Sequence, residues 1–257
     1  MRPHHLTTLA LALALCAAPA FAQAPDWKAL FDESVALYRS GDYERAEASA
    51  TRAIEVATAA LGANHPNVVK MQAGLAVMLN NIGVLYRQQR NYAAAEAVYA
   101  RTLALREKAL GAEHPEVALS LNILAAVHDA QDHFEQAEAL YKRALALREK
   151  VLAPDHIEVA ASLNSLGELY LAQRKYEKAE PLLVRAFEIR RKALGEKAPD
   201  VLATQRDLWT IYMSTERWAL AEQYQQPGDV TPTEMQKRRL AIPIPSPKGN
   251  DPTVRGR

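Results

Sequence analysis

The chain has a single cysteine among its 257 residues, Cys16, and it lies inside an apolar N-terminal stretch. One cysteine forms no internal disulfide and no thiolate metal cluster, whatever the redox compartment. Glycine is scarce at 10 residues, and no glycine-rich phosphate loop, nucleophile elbow or HExxH helix is present. Six of the 14 prolines fall from Pro227 onward, so the body of the chain holds few helix breakers. Charge of one sign is not in excess: 31 basic against 30 acidic residues give +1. Nothing therefore suggests nucleic acid as a partner, which usually requires a basic face. What abounds is Ala, Leu, Glu, Arg and Lys, all good helix formers. The composition points to an all-α protein.

The N-terminus has three parts. "MRPHH" is polar and carries Arg2, "LTTLALALALCAAPA" is uncharged and apolar, and "AFA" ends on small residues at Ala20 and Ala22. That order predicts a signal peptide over residues 1–22, cut before Gln23. A retained membrane anchor is the alternative, but the run is short for a span of about 20 residues. Lipidation of Cys16 is a second alternative. A lipoprotein signal wants a small residue before its cysteine, and Leu15 stands there. Cleavage predicts a periplasmic or secreted chain with no cysteine and no stable membrane insertion.

The rest of the chain repeats itself. "ALREKALGAEHP" starts at Ala104 and "ALREKVLAPDHI" at Ala146, 42 residues later. Aromatic residues ahead of an Ala–Glu pair recur at Tyr43, Tyr92, Phe134, Tyr176 and Trp218, with gaps of 49, 42, 42 and 42. Each unit has apolar residues at spacings of three, four and seven in two runs, so each reads as two helices joined by a short turn. Gly62, Gly111 and Gly195 sit where a left-handed helix cap is expected, and Pro66, Pro115 and Pro199 where a next helix begins. The seven extra residues of the first gap equal two helical turns. They predict a longer first helix in the second unit, with a break near Gly74.

"SLNSLGELYLAQRKYEKAEPLLVRAFEIRRKALG" resembles a tetratricopeptide repeat, and the 42-residue period with its "LG..HP.VA" joint resembles the kinesin-light-chain type. Leu166, Gly167, Tyr170, Tyr176, Ala179 and Ala186 occupy that family's packing slots. The resemblance implies a right-handed superhelical solenoid of antiparallel helix pairs, about four and a half repeats over residues 26–226. Trp209 stands in a small-residue slot of the last unit, as a terminal cap would.

Repeats of this family lack active sites and bind extended peptides in a groove lined by the first helix of each unit. The resemblance thus implies a non-enzymatic adaptor with a protein or peptide partner and no cofactor or metal. Rotating away from the core face projects Asn80, Arg87, Gln88, Asn122, Asp129, Asn164, Glu168 and Arg206 onto that groove. Asn80, Asn122 and Asn164 form a ladder, each 42 from the next, and an amide can both donate to and accept from a peptide backbone. The alternative is that these amides bridge neighbouring helices inside the stack. The lysine-and-asparagine clamp that other family members use for a C-terminal carboxylate is missing, because Val84, Ala126 and Glu168 follow the ladder.

His65, His114 and His156 recur one per joint, too far apart to share a metal, and read as helix-start hydrogen-bonding residues. Residues 227–257 have no helical period and predict a disordered tail, in which "KRRLAIPIP" with Arg238 and Arg239 is a candidate docking segment for the groove. A second function is open at this level: a structural subunit of an envelope complex that uses its outer faces or stack ends.

Overall fold

The computed structural model describes residues 26–231, 233, 234 and 237. The signal peptide over residues 1–22 and the segment holding Arg238, Arg239 and "LAIPIP" lie outside the described residues.

Among the described residues the chain folds into ten helices and no strand: α1 (Trp27–Ser40), α2 (Tyr43–Leu61), α3 (Pro66–Gln88), α4 (Tyr92–Leu110), α5 (Pro115–Asp129), α6 (Phe134–Val151), α7 (Ile157–Ala172), α8 (Tyr176–Leu194), α9 (Pro199–Ser214) and α10 (Trp218–Gln223). It is an all-α repeat solenoid in two compact units, one up to Leu75 and one from Ala76. In the first, α1 packs on α2. In the second, α5 pairs with α6, α7 with α8 and α9 with α10, while α4 meets α5, α6 meets α7 and α8 meets α9. First helices also touch in series, α5 to α7 and α7 to α9. No pair can bury its apolar stripe alone, so each uses its neighbours.

The cores show why. Tyr99, Leu121, Leu163, Leu183 and Leu208 are almost wholly buried in the second unit. Small residues face them. A Cβ on Gly167 would lie 2.6 Å from the Leu183 Cγ, and one on Gly83 would lie 2.6 Å from the Tyr99 ring. A larger residue at either position has no room without moving a buried side chain.

α3 is 23 residues long against 15 for α5 and 16 for α7, so the extra residues do lengthen this helix. The expected break near Gly74 is absent. A helix-interior glycine costs only about 1 kcal/mol relative to alanine, which the surrounding packing tolerates. Gly74 has a packing reason instead, since a Cβ there would come 3.2 Å from the Phe31 Cζ. α3 is also long and apolar enough to cross a membrane, but half of its most apolar window is buried in the fold, as in a core helix.

The joints follow the sequence with one correction. Pro66, Pro115 and Pro199 each open a helix. The Nδ1 atoms of His65, His114 and His156 each accept a backbone N–H two residues on, at 3.2 Å, which is the helix-start role expected of them. Gly62, Gly111 and Gly195 do have positive φ of 90°, 90° and 85°, but their ψ values are 152°, 151° and 158°. That is an extended region open essentially to glycine alone, not the left-handed helical cap. The left-handed residues sit at the other joints: Arg90, Asp132, Arg174 and Glu216 have φ of 57°, 59°, 57° and 60°, each 42 residues after the last.

Candidate protein-binding face

The projected residues lie on the first helices, and the structure divides them into two sets. The first set is tied into the stack. Arg106, Arg148 and Arg190 stand 42 residues apart near the ends of α4, α6 and α8. Each guanidinium reaches the hydroxyl of the next first helix: Ser120 at 2.7 Å, Ser162 at 2.7 Å and Thr204 at 2.6 Å. Each also donates to the carbonyl four residues before that hydroxyl, on Glu116, Glu158 and Asp200. Arg106 and Arg148 are 8% and 4% exposed, which is tolerable only because carboxylates accompany them. Glu116 lies 3.0 Å from Arg106, and Glu158 lies 3.5 Å from Arg148. Burial lowers the Arg148 pKa and the Glu158 charge partly restores it.

The asparagine ladder joins this network. Asn164 is 6% exposed. Its Oδ1 accepts from Arg190 at 2.8 Å and lies 2.9 Å from the Thr204 hydroxyl, and its amide donates to Glu168 at 2.7 Å. Asn122, half-buried, accepts from the Ser162 hydroxyl at 3.4 Å. Asn80 differs, because its Oδ1 is buried without a hydrogen-bond partner. Asn164 and Asn122 thus bridge neighbouring helices, while the Asn80 Oδ1 is enclosed with no such bond.

The second set faces outward. Arg87, Gln88, Glu168 and Arg206 are exposed and Asp129 is half-buried. Val84 beside them is 39% exposed. Their charges act on common neighbours. Burial raises the Tyr99 phenol and Arg87 pulls it back. Burial raises the Tyr141 phenol, and both Asp129 and Glu168 push it further. Asp129 is itself raised by burial and then by Asp132. Asp207, half-buried on α9, is raised to about 6 by burial and then by Glu168, with Arg190 and Arg206 opposing. Asp129 and Glu168 thus act together on the buried Tyr141, and Glu168 acts on Asp207, which links carboxylates of α5, α7 and α9 in series as an acidic strip. Sequence reasoning missed Asp207, which follows Arg206 directly. It also gave no hint of the arginine–hydroxyl network, although the 42-residue spacing of Arg106, Arg148 and Arg190 was there to be read.

The outer helices carry ion pairs between successive units, among them Arg143 with Glu107, Arg185 with Glu149, and Lys192 with Asp155 at 3.0 Å. Such exposed pairs are screened by water and salt and add little to stability. The last unit closes with Tyr224 against Phe187 and Tyr212, at ring distances of 5.3 and 5.4 Å. Gln226 then donates to the Leu202 carbonyl at 2.5 Å.

Tetratricopeptide repeat profiles match residues 74–150, 134–192 and 158–226, and another matches residues 34–67. The chain belongs to the tetratricopeptide repeat family. Solved structures agree on the fold, and two of three similar ones carry the kinesin-light-chain name. BtubC (BKLC) from P. vanneervenii is 22% identical with a TM-score of 0.59, over 85% of this chain and 83% of that one. A putative kinesin light chain from Podosopora anserina with nearly identical TPR-like repeats is 22% identical with a TM-score of 0.50, over 77% and 90%. The apo form of RapI is 17% identical with a TM-score of 0.56, over 77% of this chain and 51% of that one. A comparison with curated proteins found no significant match. Tetratricopeptide repeat proteins are in general scaffolds for protein–protein interaction.

Proposed function

We propose that this repeat protein is a non-enzymatic adaptor that takes an extended, positively charged peptide segment of its partner along the first-helix face. The acidic strip of Asp129, Glu168 and Asp207 carries the reading. Asp129 and Asp207 are partly withdrawn from water on either side of the exposed Glu168, and a lysine or arginine side chain arriving from a partner relieves that cost. Asn80, the first of the ladder asparagines, is a backbone contact in the same proposal, as are Arg87, Gln88 and Arg206 toward carbonyl or acidic groups of the peptide. Asn122 and Asn164 act as positioning residues, with Asn164 holding Glu168 from inside the stack. The charge, apolar and small-residue order of residues 1–22 supports delivery to the bacterial periplasm or beyond.

Calorimetric titration with extended peptides of about ten residues tests the proposal. Lysine-bearing peptides should bind, acidic ones should not, and Asp129→Asn with Glu168→Gln should weaken binding at least tenfold. Binding that is indifferent to peptide charge and to both substitutions would remove it.

A second reading, a structural envelope subunit docking through its outer side, is supported by one observation. Leu110, Val151 and Leu194, at the ends of α4, α6 and α8, are 36%, 39% and 47% exposed. Substituting these three with serine should abolish assembly on that reading and leave peptide binding unchanged on the first.

A further inference from the structure

One carboxylate is used in the same way in two successive units, and the unit before them replaces its partners. Glu138 of α6 accepts from the Tyr170 hydroxyl of α7 at 2.8 Å. Glu180 of α8 accepts from the Tyr212 hydroxyl of α9 at 3.1 Å and pairs with Arg217 at 2.5 Å. One unit earlier the same carboxylate is Glu96 of α4, but the tyrosine position is His128 and the position of Lys175 and Arg217 is His133. Both substitutions bring imidazole nitrogen. Glu96, His128 and His133 each present a ligand atom within 4.8 Å of the others. The His128 Nδ1 is buried without a hydrogen-bond partner, 4.0 Å from the Glu96 Oε2. His133 is the N-cap of α6 yet makes no side-chain capping bond. Gln131 donates to the Glu96 Oε2 at 2.9 Å and so fixes that carboxylate from outside.

We propose that Glu96, His128 and His133 bind a divalent transition-metal cation of the zinc class, clamping α4, α5 and α6 together. Zinc–nitrogen and zinc–oxygen bonds of about 2.0–2.2 Å make a 4.0 Å gap between two ligand atoms one that a single ion spans. A tetrahedral angle needs about 3.3–3.5 Å, so Glu96 and His128 must close by roughly half an ångström and His133, within 4.8 Å of both and at the exposed rim, swings in by up to about 1.5 Å. Two imidazoles and one carboxylate suit zinc, copper or nickel, whereas calcium and magnesium prefer oxygen throughout. Three protein ligands leave a fourth position for water or for a partner's side chain. The site is independent of the proposed peptide face and needs none of its residues.

Chelator-competition titration of the full chain with zinc tests this, beside His128→Tyr, His133→Lys and Glu96→Gln. The first two install the residues that the following unit uses at the same places, so the stack has a precedent for each. The expected result is one zinc whose affinity falls at least tenfold in every variant but not in His114→Gln, with a zinc-dependent rise in Tm seen only where the triad is intact. Should His128→Tyr fail to fold, the exposed His133→Lys decides. No stoichiometric zinc, an affinity the three variants leave unchanged, or a Glu96–histidine coupling seen only as a pH effect on metal-free protein would each overturn the site.

Discussion

Asp207→Asn is the sharpest probe of the acidic strip. Asp207 is half-buried, and desolvation together with the Glu168 charge raises its pKa to about 6. An unfolded aspartate titrates near 3.9. The folded state therefore holds this proton more tightly, and stability falls as pH rises from about 4 to about 6 and stays reduced above that. A difference of about two pH units corresponds to about 3 kcal/mol at most, and solvent reaching a half-buried carboxyl reduces the expectation to about 1–2 kcal/mol. Asparagine has the same shape and never ionises. Urea denaturation should find Asp207→Asn more stable than the parent by about 1–2 kcal/mol at pH 8, with the gap shrinking by more than half at pH 4.5. The substitution should also weaken a lysine-bearing peptide, which would make the carboxylate a residue kept for binding at the expense of stability. A gap that does not change with pH, or a variant less stable at pH 8, would mean that Arg190 and Arg206 already compensate Asp207 and that the strip offers nothing to a cation.

Gly167→Ala should lose about 1–2 kcal/mol, because displacing the buried Leu183 costs more than the roughly 1 kcal/mol gained in helix propensity. Gly74→Ala should be neutral or gain up to about 1 kcal/mol, because only the tip of the half-buried Phe31 ring stands in the way; thermal melts that moved the same way for both would contradict the close-packing argument. Ser162→Ala should cost about 1–3 kcal/mol by leaving the buried Arg148 short of a partner, and an unchanged urea midpoint would show the network to be energetically idle. Arg174→Gly relieves a left-handed residue at φ 57°. With unfolded-state entropy opposing, a gain of about 0–1 kcal/mol is expected, and a loss above that range counts against strain at this joint.

Much of the fold was legible because the period is short and strict. Tyr92, Phe134, Tyr176 and Trp218 mark a unit every 42 residues, and histidine and proline mark the joints as the structure has them. What stayed hidden depends on depth and side-chain reach. Arg148 lies within "ALREK", a run that reads as solvated surface, yet its guanidinium is buried against Ser162. Asn164 sits on the turn that a helical projection assigns to the groove, but Arg190 and Thr204 enclose it. Gly62, Gly111 and Gly195 announced a positive φ, but sequence does not distinguish the two ψ values a glycine allows there. His128 occupied an aromatic packing slot in the sequence, and only the packing of α5 on α4 sets its nitrogen opposite Glu96.

Site-specific photocrosslinking in the native cell tests the adaptor reading most directly. A crosslinker at Val84, on the exposed first-helix face, is compared with one at Lys142, on the exposed side of α6. The account predicts that one partner is trapped from Val84, that the trapped segment is extended and carries lysine or arginine, and that Glu168→Gln diminishes the product. Crosslinks formed from Lys142 and not from Val84 would contradict it and place the partner on the outer helices.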